Sequence, residues 1–287
     1  MKIITAIDVC AGAGGWACAA RGLPIKILSA FDREQDALDT YGINHPGVEC
    51  INCDVTTQDF SRWAGVDLIL GGIPCEQLSV IRNNTPRTRA EMRGFKALLK
   101  RFLSLPEELG AAHWCYEEVI QVRHHLPRRT PFIIINSQAF SAQARIRAYL
   151  TNIPSPALPS IPDGRLLQNH LRAGPHRLGP RIHNKRRPAI SGKSSKTFQP
   201  FYPDRKSKTI INLSSRRDAE IATTHMFGWR QLEWQECAAL QGFPEDYLFI
   251  GCPSRVSKMI GQAVQIDTGR AILQSLLMVK EVSANIE

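Results

Sequence analysis

No apolar run in the chain approaches the roughly 18–20 residues that a bilayer-spanning helix needs, so no membrane span is expected. Internal repeats and low-complexity segments are also missing. A second C-x-x-C to partner Cys50 and Cys53 is lacking, which removes the four-ligand zinc pattern, and no metal is assigned. The eight cysteines are irregularly spaced, unlike a disulfide framework. They are expected to be reduced, intracellular and mostly buried, with one of them reactive. A secretion leader is not expected either. Lys2, an apolar stretch and Ala17-Cys18-Ala19-Ala20 imitate one, but Asp8 interrupts the apolar region and clustered glycines follow it.

Acidic residues are scarce in one place. Between 151 and 217 only Asp163 and Asp204 oppose fourteen Lys or Arg, an excess larger than the +10 of the whole chain. The remainder is therefore slightly acidic, and the pI of about 9.4 belongs to this one segment. Such a concentration suits a polyanion, either nucleic acid or an anionic membrane surface, with nucleic acid favoured. The bland alternative is a solvated insert, since 151–217 is rich in Pro, Gly, Ser and His and has little periodicity.

What is present is a core-forming chain, with 43% apolar residues in 287. Residues 3–10, 25–32, 48–54, 66–72, 114–119 and 132–136 read as strands, and 33–43, 231–243 and 267–279 have helical spacing. Strands alternating with helices predict a doubly wound, mostly parallel α/β sheet. The composition shifts predict one domain from 1–150 plus 218–287 and a small second domain over 151–217.

The stretch DVCAGAGGW at 8–16 places small residues after a strand, where backbone can approach a ligand. Asp32, about 20 residues further on, can take the two hydroxyls of a ribose. Asp54, after the third strand, can take an adenine amino group. Glycines, acid and acid at three strand ends suit an adenosine ligand, although strand-end acids also serve as plain helix caps. In GGIPCEQLS, at 71–79, Pro74 restricts the turn before Cys75, and Arg82, Arg87, Arg89 and Arg93 follow. A cysteine at the carboxyl edge of a parallel strand faces the ligand crevice, and a positive field favours its thiolate. A buried, inert cysteine is the ordinary alternative.

Taken in order, these segments resemble the AdoMet-dependent cytosine-C5 DNA methyltransferase family. DVCAGAGGW is similar to its D-L-F-A-G-x-G-G loop, and Asp32 with Glu34, Ala37, Tyr41 and Asn44 matches its ribose-binding acid and the spacing after it. CDVT (53–56) resembles G-D-I, GGIPCEQLS resembles G-G-x-P-C-Q-x-x-S, and EEV (117–119) stands where the family has E-N-V. QARIR (143–147) matches Q-x-R-x-R, the run 230–247 matches R-x-L-T-x-x-E-A-A-R-L-Q-G-F-P-D, and MIGQAV (259–264) resembles Q-I-G-N-A-V. Residues 132–153 are more similar to the vertebrate de novo branch than to the usual bacterial form.

The resemblance implies Cys75 as nucleophile, Glu117 at the base N3, and Arg145 and Arg147 gripping base and Glu. It implies S-adenosyl-L-methionine (AdoMet) as methyl donor, held by Cys10, Ala11, Gly12, Ala13, Gly15, Asp32, Arg33, Asp54, Val55, Gly72, Pro74, Gln262 and Val264. It also implies a flipped cytosine in double-stranded DNA. The 151–217 segment would recognise the target, with Arg82, Arg181, Lys185, Arg186, Arg187 and Arg230 as DNA contacts. A monomeric, cytoplasmic enzyme of prokaryotic or phage origin, associated with DNA, is expected. Departures stand beside the matches. Cys10 replaces an aromatic platform, which Phe31 or Trp16 would have to supply. Glu76, Glu118 and Gln262 replace Gln, Asn and Asn, and the residues before QARIR lack the usual G-V-P. Two extra carboxylates would tend to raise the nucleophile's pKa. An altered donor, a weakened enzyme, a non-catalytic DNA-binding relative and an RNA methyltransferase of the same fold therefore remain alternatives.

Overall fold

A computed structural model of the chain describes residues 3–74, 88–159, 207–208, 220–222, 229–231 and 233–284. Cys75, Glu76, Arg82, Arg181, Lys185, Arg186 and Arg187 lie outside the described residues, as does most of the segment 151–217.

The N-terminal half alternates strand and helix: β1 (Ile4–Val9), α1 (Gly15–Ala20), β2 (Ile25–Asp32), α2 (Gln35–Asn44), β3 (Glu49–Asn52), β4 (Leu68–Gly72), α3 (Arg89–Leu109) and β5 (His113–Glu118). Then come β6 (Phe132–Asn136), β7 (Gln143–Ala144) and β8 (Ile146–Thr151), the two-residue strand β9 (Ser207–Lys208), and the hairpin strands β10 (Glu220–Ala222) and β11 (Trp229–Gln231). The chain closes with α4 (Trp234–Gln241), α5 (Pro253–Gln262) and α6 (Ile266–Ala284). The apolar stretch that imitates a secretion leader is strand β1.

Seven strands form one sheet in the order β3-β2-β1-β4-β5-β8-β6. The pairs from β3 through β5 are parallel, while β8 runs antiparallel to both β5 and β6. The mostly parallel expectation holds, with β8 as the reversal that the sequence reading did not separate from its neighbours. Helices cover both faces, so the inner strands read as nearly continuous apolar runs. Ile4, Ala6, Leu68 and Leu70 pack into one core with Trp16, Ile260 and Ile272. Ile7, Val9, Ile69 and Phe31 pack into the other with Phe95, Leu99 and Phe102 of α3. A bulge sits between them: Ala6 pairs Ile27 but Ile7 pairs Ser29, leaving Leu28 extra on β2. Strict alternation would put Ile27 and Phe31 on one face; the extra residue lets them serve opposite cores.

Helix α3 was not anticipated, yet its signals are local. Thr88 and Glu91 form a reciprocal capping box, and Gly110, at φ 63, ends the helix. Phe95, Leu99, Phe102 and Leu109 form its buried stripe. At 21 residues it is roughly 31 Å long, against roughly 20 Å for the six residues of β5, so its N-terminal turns overhang the carboxyl edge of the sheet. Helix α4 begins at Trp234 rather than 231, because Gln231 belongs to β11 and Glu233 with Glu236 caps the helix.

After β5 the chain makes a short 3-10 turn, Ile120–His124, and His125 packs on Phe95 with ring centroids 5.6 Å apart. A tight turn follows, in which the Thr130 N–H donates to the Pro127 carbonyl at 3.2 Å. Its third residue, Arg129, is held at φ 74, a place type II turns favour for glycine. A side chain there costs about 1–2 kcal/mol. Thr88→Ala is expected to lower stability by about 1 kcal/mol through loss of the α3 cap, read as a shift of the urea midpoint at unchanged slope.

Candidate active site

The glycine loop leaves β1 through a left-handed backbone. Cys10 (φ 53), Gly12 (φ 54) and Gly14 (φ 87) all have positive φ. The turn is held from below. Ala11 donates its N–H to the Phe31 carbonyl at 2.9 Å, and the buried Tyr247 hydroxyl donates to the Ala13 carbonyl. His45 Nε2 lies 3.2 Å from the same hydroxyl. A carbonyl only accepts, so the Tyr247 proton goes to Ala13 and His45 must present Nε2–H. Burial and the Arg21 charge lower the His45 pKa to about 4, which keeps the ring neutral at ordinary pH. Gly14 is required there, since a Cβ would stand 2.7 Å from the Tyr247 oxygen. At Gly12 a Cβ would meet nothing within 4 Å, so the loop is open on that side.

Asp32 closes the loop. Its Oδ2 accepts the Gly12 N–H at 2.8 Å and its Oδ1 accepts the Glu34 N–H at 2.9 Å. Burial pushes this carboxyl up, opposed by the N–H groups of Glu34 and Gly12. Asp54 is exposed; its Oδ1 is held by the Thr56 N–H and hydroxyl, at 2.9 and 2.7 Å, and these bonds lower its pKa. Deeper in, Asp8 is fully buried, raised by burial and then by Asp32, and its Oδ1 makes no hydrogen bond among the described residues. The carboxyl ends of β1, β2, β3 and β4 are neighbours, which gathers Cys10, Ala11, Gly12, Asp32, Arg33, Asp54, Val55, Gly72 and Pro74 at one edge. An open glycine cradle beside two carboxylates suits an adenosine-type ligand. The remaining members of the expected set sit differently. Ala13 is buried, Gly15 packs on Val264 with 3.0 Å between its virtual Cβ and Cγ1, and Gln262 is exposed at the end of α5.

The aromatic platform expected from Phe31 or Trp16 is corrected. Phe31 is fully buried between Phe60 and Trp63, with centroids at 4.8 and 4.7 Å. Trp16, also buried, donates Nε1–H to the Gly71 carbonyl at 3.0 Å and so braces the glycine pair of β4. Both rings are core. Burial likewise pushes the Cys10 thiol up, with Asp32 adding to the effect, so it stays protonated.

At the end of β5, Glu117 is clamped by two arginines. Arg147 Nε lies 2.9 Å and Arg145 Nη2 3.4 Å from its Oε1. Register makes the meeting, because Glu117 pairs with Tyr149 on antiparallel β8, just beyond both arginines in sequence. Arg145 is only 2% exposed and also donates to the carbonyls of Gly261 and Ala263, at 3.3 and 3.2 Å. The Ala263 carbonyl further accepts from Gln241 Nε2, and Gln241 Oε1 accepts from Gln143 Nε2 at 3.1 Å. This buried lattice adds Gln143, Gln241, Gly261 and Ala263, to which the resemblance gave no role, and joins β5, β7, β8, α4 and the α5–α6 junction. Glu118 points elsewhere. It is 1% exposed, Oε2 accepts the Val119 N–H, and Oε1 makes no hydrogen bond among the described residues. Burial, then the neighbouring Glu117, pushes its carboxyl well up, against the pull of the Val119 N–H and Arg147.

Of the expected DNA contacts only Arg230 is among the described residues, on β11. None of the seven described cysteines is in a disulfide, Cys50 and Cys53 included. Among the described residues no helix is long and apolar enough to cross a membrane.

Comparison with known proteins supplies the relationship. The chain is 36% identical over 86 residues to the Type II methyltransferase M.BbvI of Brevibacillus brevis, covering 29% of this chain and 21% of that protein. It is 32% identical over 75 residues to the Type II methyltransferase M.NgoMIV of Neisseria gonorrhoeae, covering 26% and 24%. The matched stretches thus span about a quarter or less of those relatives' own length. In fold it is similar to the methyltransferase EhMeth of Entamoeba histolytica, with a TM-score of 0.73, 12% identity, and coverage of 98% of this chain and 99% of that one. The family model for C-5 cytosine-specific DNA methylases matches residues 4–101 and 132–278, most of the chain and both sides of the glycine loop, the Q-x-R-x-R clamp and the buried lattice. The chain belongs to the C-5 cytosine-specific DNA methylase family.

Proposed function

We propose that the protein is a DNA (cytosine-5-)-methyltransferase that uses AdoMet as methyl donor and Cys75 as nucleophile. The observation that carries this reading is the buried Glu117–Arg145–Arg147 clamp at the carboxyl edge of the sheet, in a chain of this family whose β4 leads directly into Pro74-Cys75. A carboxylate held by two guanidiniums in a low-dielectric pocket is fixed in place and suited to meet a ring nitrogen.

C5 of cytosine is a poor nucleophile, so the ring must first be activated. The Cys75 thiolate adds to C6, forming an S–C6 bond, and the displaced electron pair makes C5 enamine-like. Glu117, at N3, draws off the charge that accumulates on the ring, while Arg147 and Arg145 hold Glu117 in position. The donor supplies an electrophilic methyl group. With that methyl on C5 and the donor's S–CH3 bond broken to leave a neutral thioether, a base would remove the C5 proton, and elimination would break the S–C6 bond and restore the thiolate. The base reaches this site by leaving the helix stack, at a cost of a few kcal/mol. The open Gly12 loop, Asp32 and Asp54 would hold the cofactor, with Asp32 suited to the ribose hydroxyls. The basic segment 151–217 is read as the target-recognition domain, inserted in a catalytic domain of 1–150 plus 218–287, with Arg181, Lys185, Arg186 and Arg187 on phosphates.

The departures bear less heavily than the charge count suggests. Glu118 replaces an asparagine, but burial favours its neutral form. A protonated carboxyl is a neutral donor and acceptor, as an amide is. Burial therefore works against a second full negative charge next to Glu117.

Removing Glu117 or Arg145 would strand a buried charge, at about 3–5 kcal/mol, and confuse folding with chemistry. Cys75 is the cleaner test. DNA and total RNA from cells without their own cytosine methylation, expressing wild type or Cys75→Ala, are digested and read by nucleoside mass spectrometry. The wild type is expected to add 5-methylcytosine to DNA and Cys75→Ala to add none while remaining folded. A Cys75-dependent nucleoside of another mass would replace the donor in this reading, and a mark found only in RNA would replace the substrate. Folded wild type that binds DNA without product would make the protein a non-catalytic relative.

A second test addresses Glu118. Its folded pKa is raised above the usual 4.5, so between those values the folded state holds a proton that the unfolded state has lost. Stability from this group is complete below about 4.5 and is lost as pH rises. Glu118→Gln should therefore stabilise the protein progressively more as pH rises above about 4.5 towards the raised folded pKa, by urea unfolding, with methylation kept at neutral pH. A difference that stays flat over that rise would mean that Glu118 is ionised in the folded state as it is in the unfolded one.

A further inference from the structure

The crossover from β3 to β4 differs from the others between parallel strands. Helices α1, α2 and α3 fill the other three, but residues 53–67 hold only a 3-10 turn, Ser61–Trp63. A segment without its own helix ladder has to be fixed by other bonds. Its start stands at the carboxyl edge, where Asp54 belongs to the proposed cofactor site. The bonds inside that start are local. Asp54 Oδ1 accepts from the N–H and hydroxyl of Thr56, and the Asp54 carbonyl accepts the N–H groups of Thr57 and Gln58 at 3.1 and 3.0 Å. These bonds shape the turn without placing it on the sheet.

Placement comes from Arg101, on the neighbouring α3. It donates Nε–H to the Val55 carbonyl at 3.3 Å and Nη2–H to the Gln58 carbonyl at 3.0 Å. Among the described residues these are the two hydrogen bonds that join 55–58 to another element. The guanidinium is itself oriented. It lies over the Phe60 ring, 5.2 Å from the centroid, and the Glu108 carboxylate, seven residues on along α3, accepts from Nη1 and Nη2. Its side chain is only 18% exposed. A flat fork engaged at each nitrogen holds one orientation, which the point charge of a lysine would not. The same helix also takes the far end of the crossover, where the Gly65 N–H donates to the Leu109 carbonyl at 2.7 Å.

From these contacts we infer that Arg101 is a positioning residue for the cofactor. It holds the 54–58 turn where the Asp54 carboxylate can accept from the adenine amino group, and so sets the selectivity of the site for adenine. The inference rests on the proposed reading that AdoMet is the donor. Arg101 acts through the Val55 and Gln58 carbonyls and not by touching the ligand. A carboxylate accepts from an amino group but repels a carbonyl oxygen in its place, so the consequence is selectivity and not affinity alone.

The test titrates the full chain, by calorimetry, with S-adenosyl-L-homocysteine and with S-inosyl-L-homocysteine, which carries a carbonyl in place of the adenine amino group. Wild type is expected to prefer the adenosyl compound by at least roughly tenfold. Arg101→Lys is preferred to alanine because it keeps a cation beside Glu108 and Phe60 while being unable to span both carbonyls. It is expected to weaken the adenosyl compound roughly fivefold and the inosyl compound less than about twofold, and to raise KM for AdoMet at unchanged kcat. Combined with Asp54→Ala, it is expected to weaken the adenosyl compound no further than Asp54→Ala alone. Arg62→Ala removes another cation of the same crossover and is expected to bind both compounds as wild type does. Equal weakening of both compounds in Arg101→Lys, no weakening, or additive losses in the double variant would overturn the role of Arg101 and leave the AdoMet reading standing. An Asp54→Ala protein with the wild-type preference would overturn the adenine contact, and the role of Arg101 with it. Wild type that binds neither compound would overturn the AdoMet reading itself.

Discussion

The Arg145 guanidinium is buried among groups that give it no water, and that constraint organises the carboxyl edge of the sheet. A cation in such a place must be matched by a carboxylate and by carbonyls, or it costs several kcal/mol. Glu117 supplies the charge, and the Gly261 and Ala263 carbonyls supply further acceptors. These partners come from β5 and from the α5–α6 junction, segments more than a hundred residues apart. Glu117 is therefore placed by the same bonds that dock the C-terminal helices onto the sheet. Gln241 and Gln143 extend the lattice to α4 and β7, again through Ala263. A chain that lost this geometry would lose its fold at that edge together with its site.

The glycine loop meets the opposite requirement, to stay open and yet keep one shape. Left-handed residues at Cys10, Gly12 and Gly14 are permissive and lose much entropy on folding. The loop is fixed by bonds to its backbone: Asp32 on the Gly12 N–H, Phe31 on the Ala11 N–H, and Tyr247 on the Ala13 carbonyl. Side chains from beneath the loop do this work, so its outer side is left for a ligand. Tyr247 also reaches it from the segment that follows α4, so the C-terminal part of the chain shapes the glycine loop as well as the clamp.

Much of this was legible in the sequence. Apolar β-branched runs ending in small residues or acids marked β1, β2 and β4, because parallel strands covered on both faces have little other pattern available. The glycine spacing and Asp32 gave the cofactor edge. What could not be read came from long-range pairing. QARIR gives no sign that the strand following it runs antiparallel between β5 and β6, since direction is set by partners. Phe31 looked free to stack on a ligand, but the bulge at Leu28 turns it into the core, and period-2 reasoning does not foresee an inserted residue. Helix α3 has a readable T-x-x-E start at Thr88, but Gly94 and Pro106 within it interrupt the helical signal that follows.

Charge is divided between two environments, and the division has a physical consequence. The Glu117 clamp is buried, so mobile ions screen it little. Surface pairs such as Arg62 with Glu49 and Arg255 with Asp36 are exposed, where a Debye length of about 8 Å at physiological salt governs what such charges can reach. Ionic strength should then act on those pairs and leave the arrangement of Glu117, Arg145 and Arg147 unaltered. The raised pKa of Glu118 fits the same division, because burial disfavours its charged form and the Val119 N–H and Arg147 oppose that only in part, whereas Glu117 meets two guanidiniums directly.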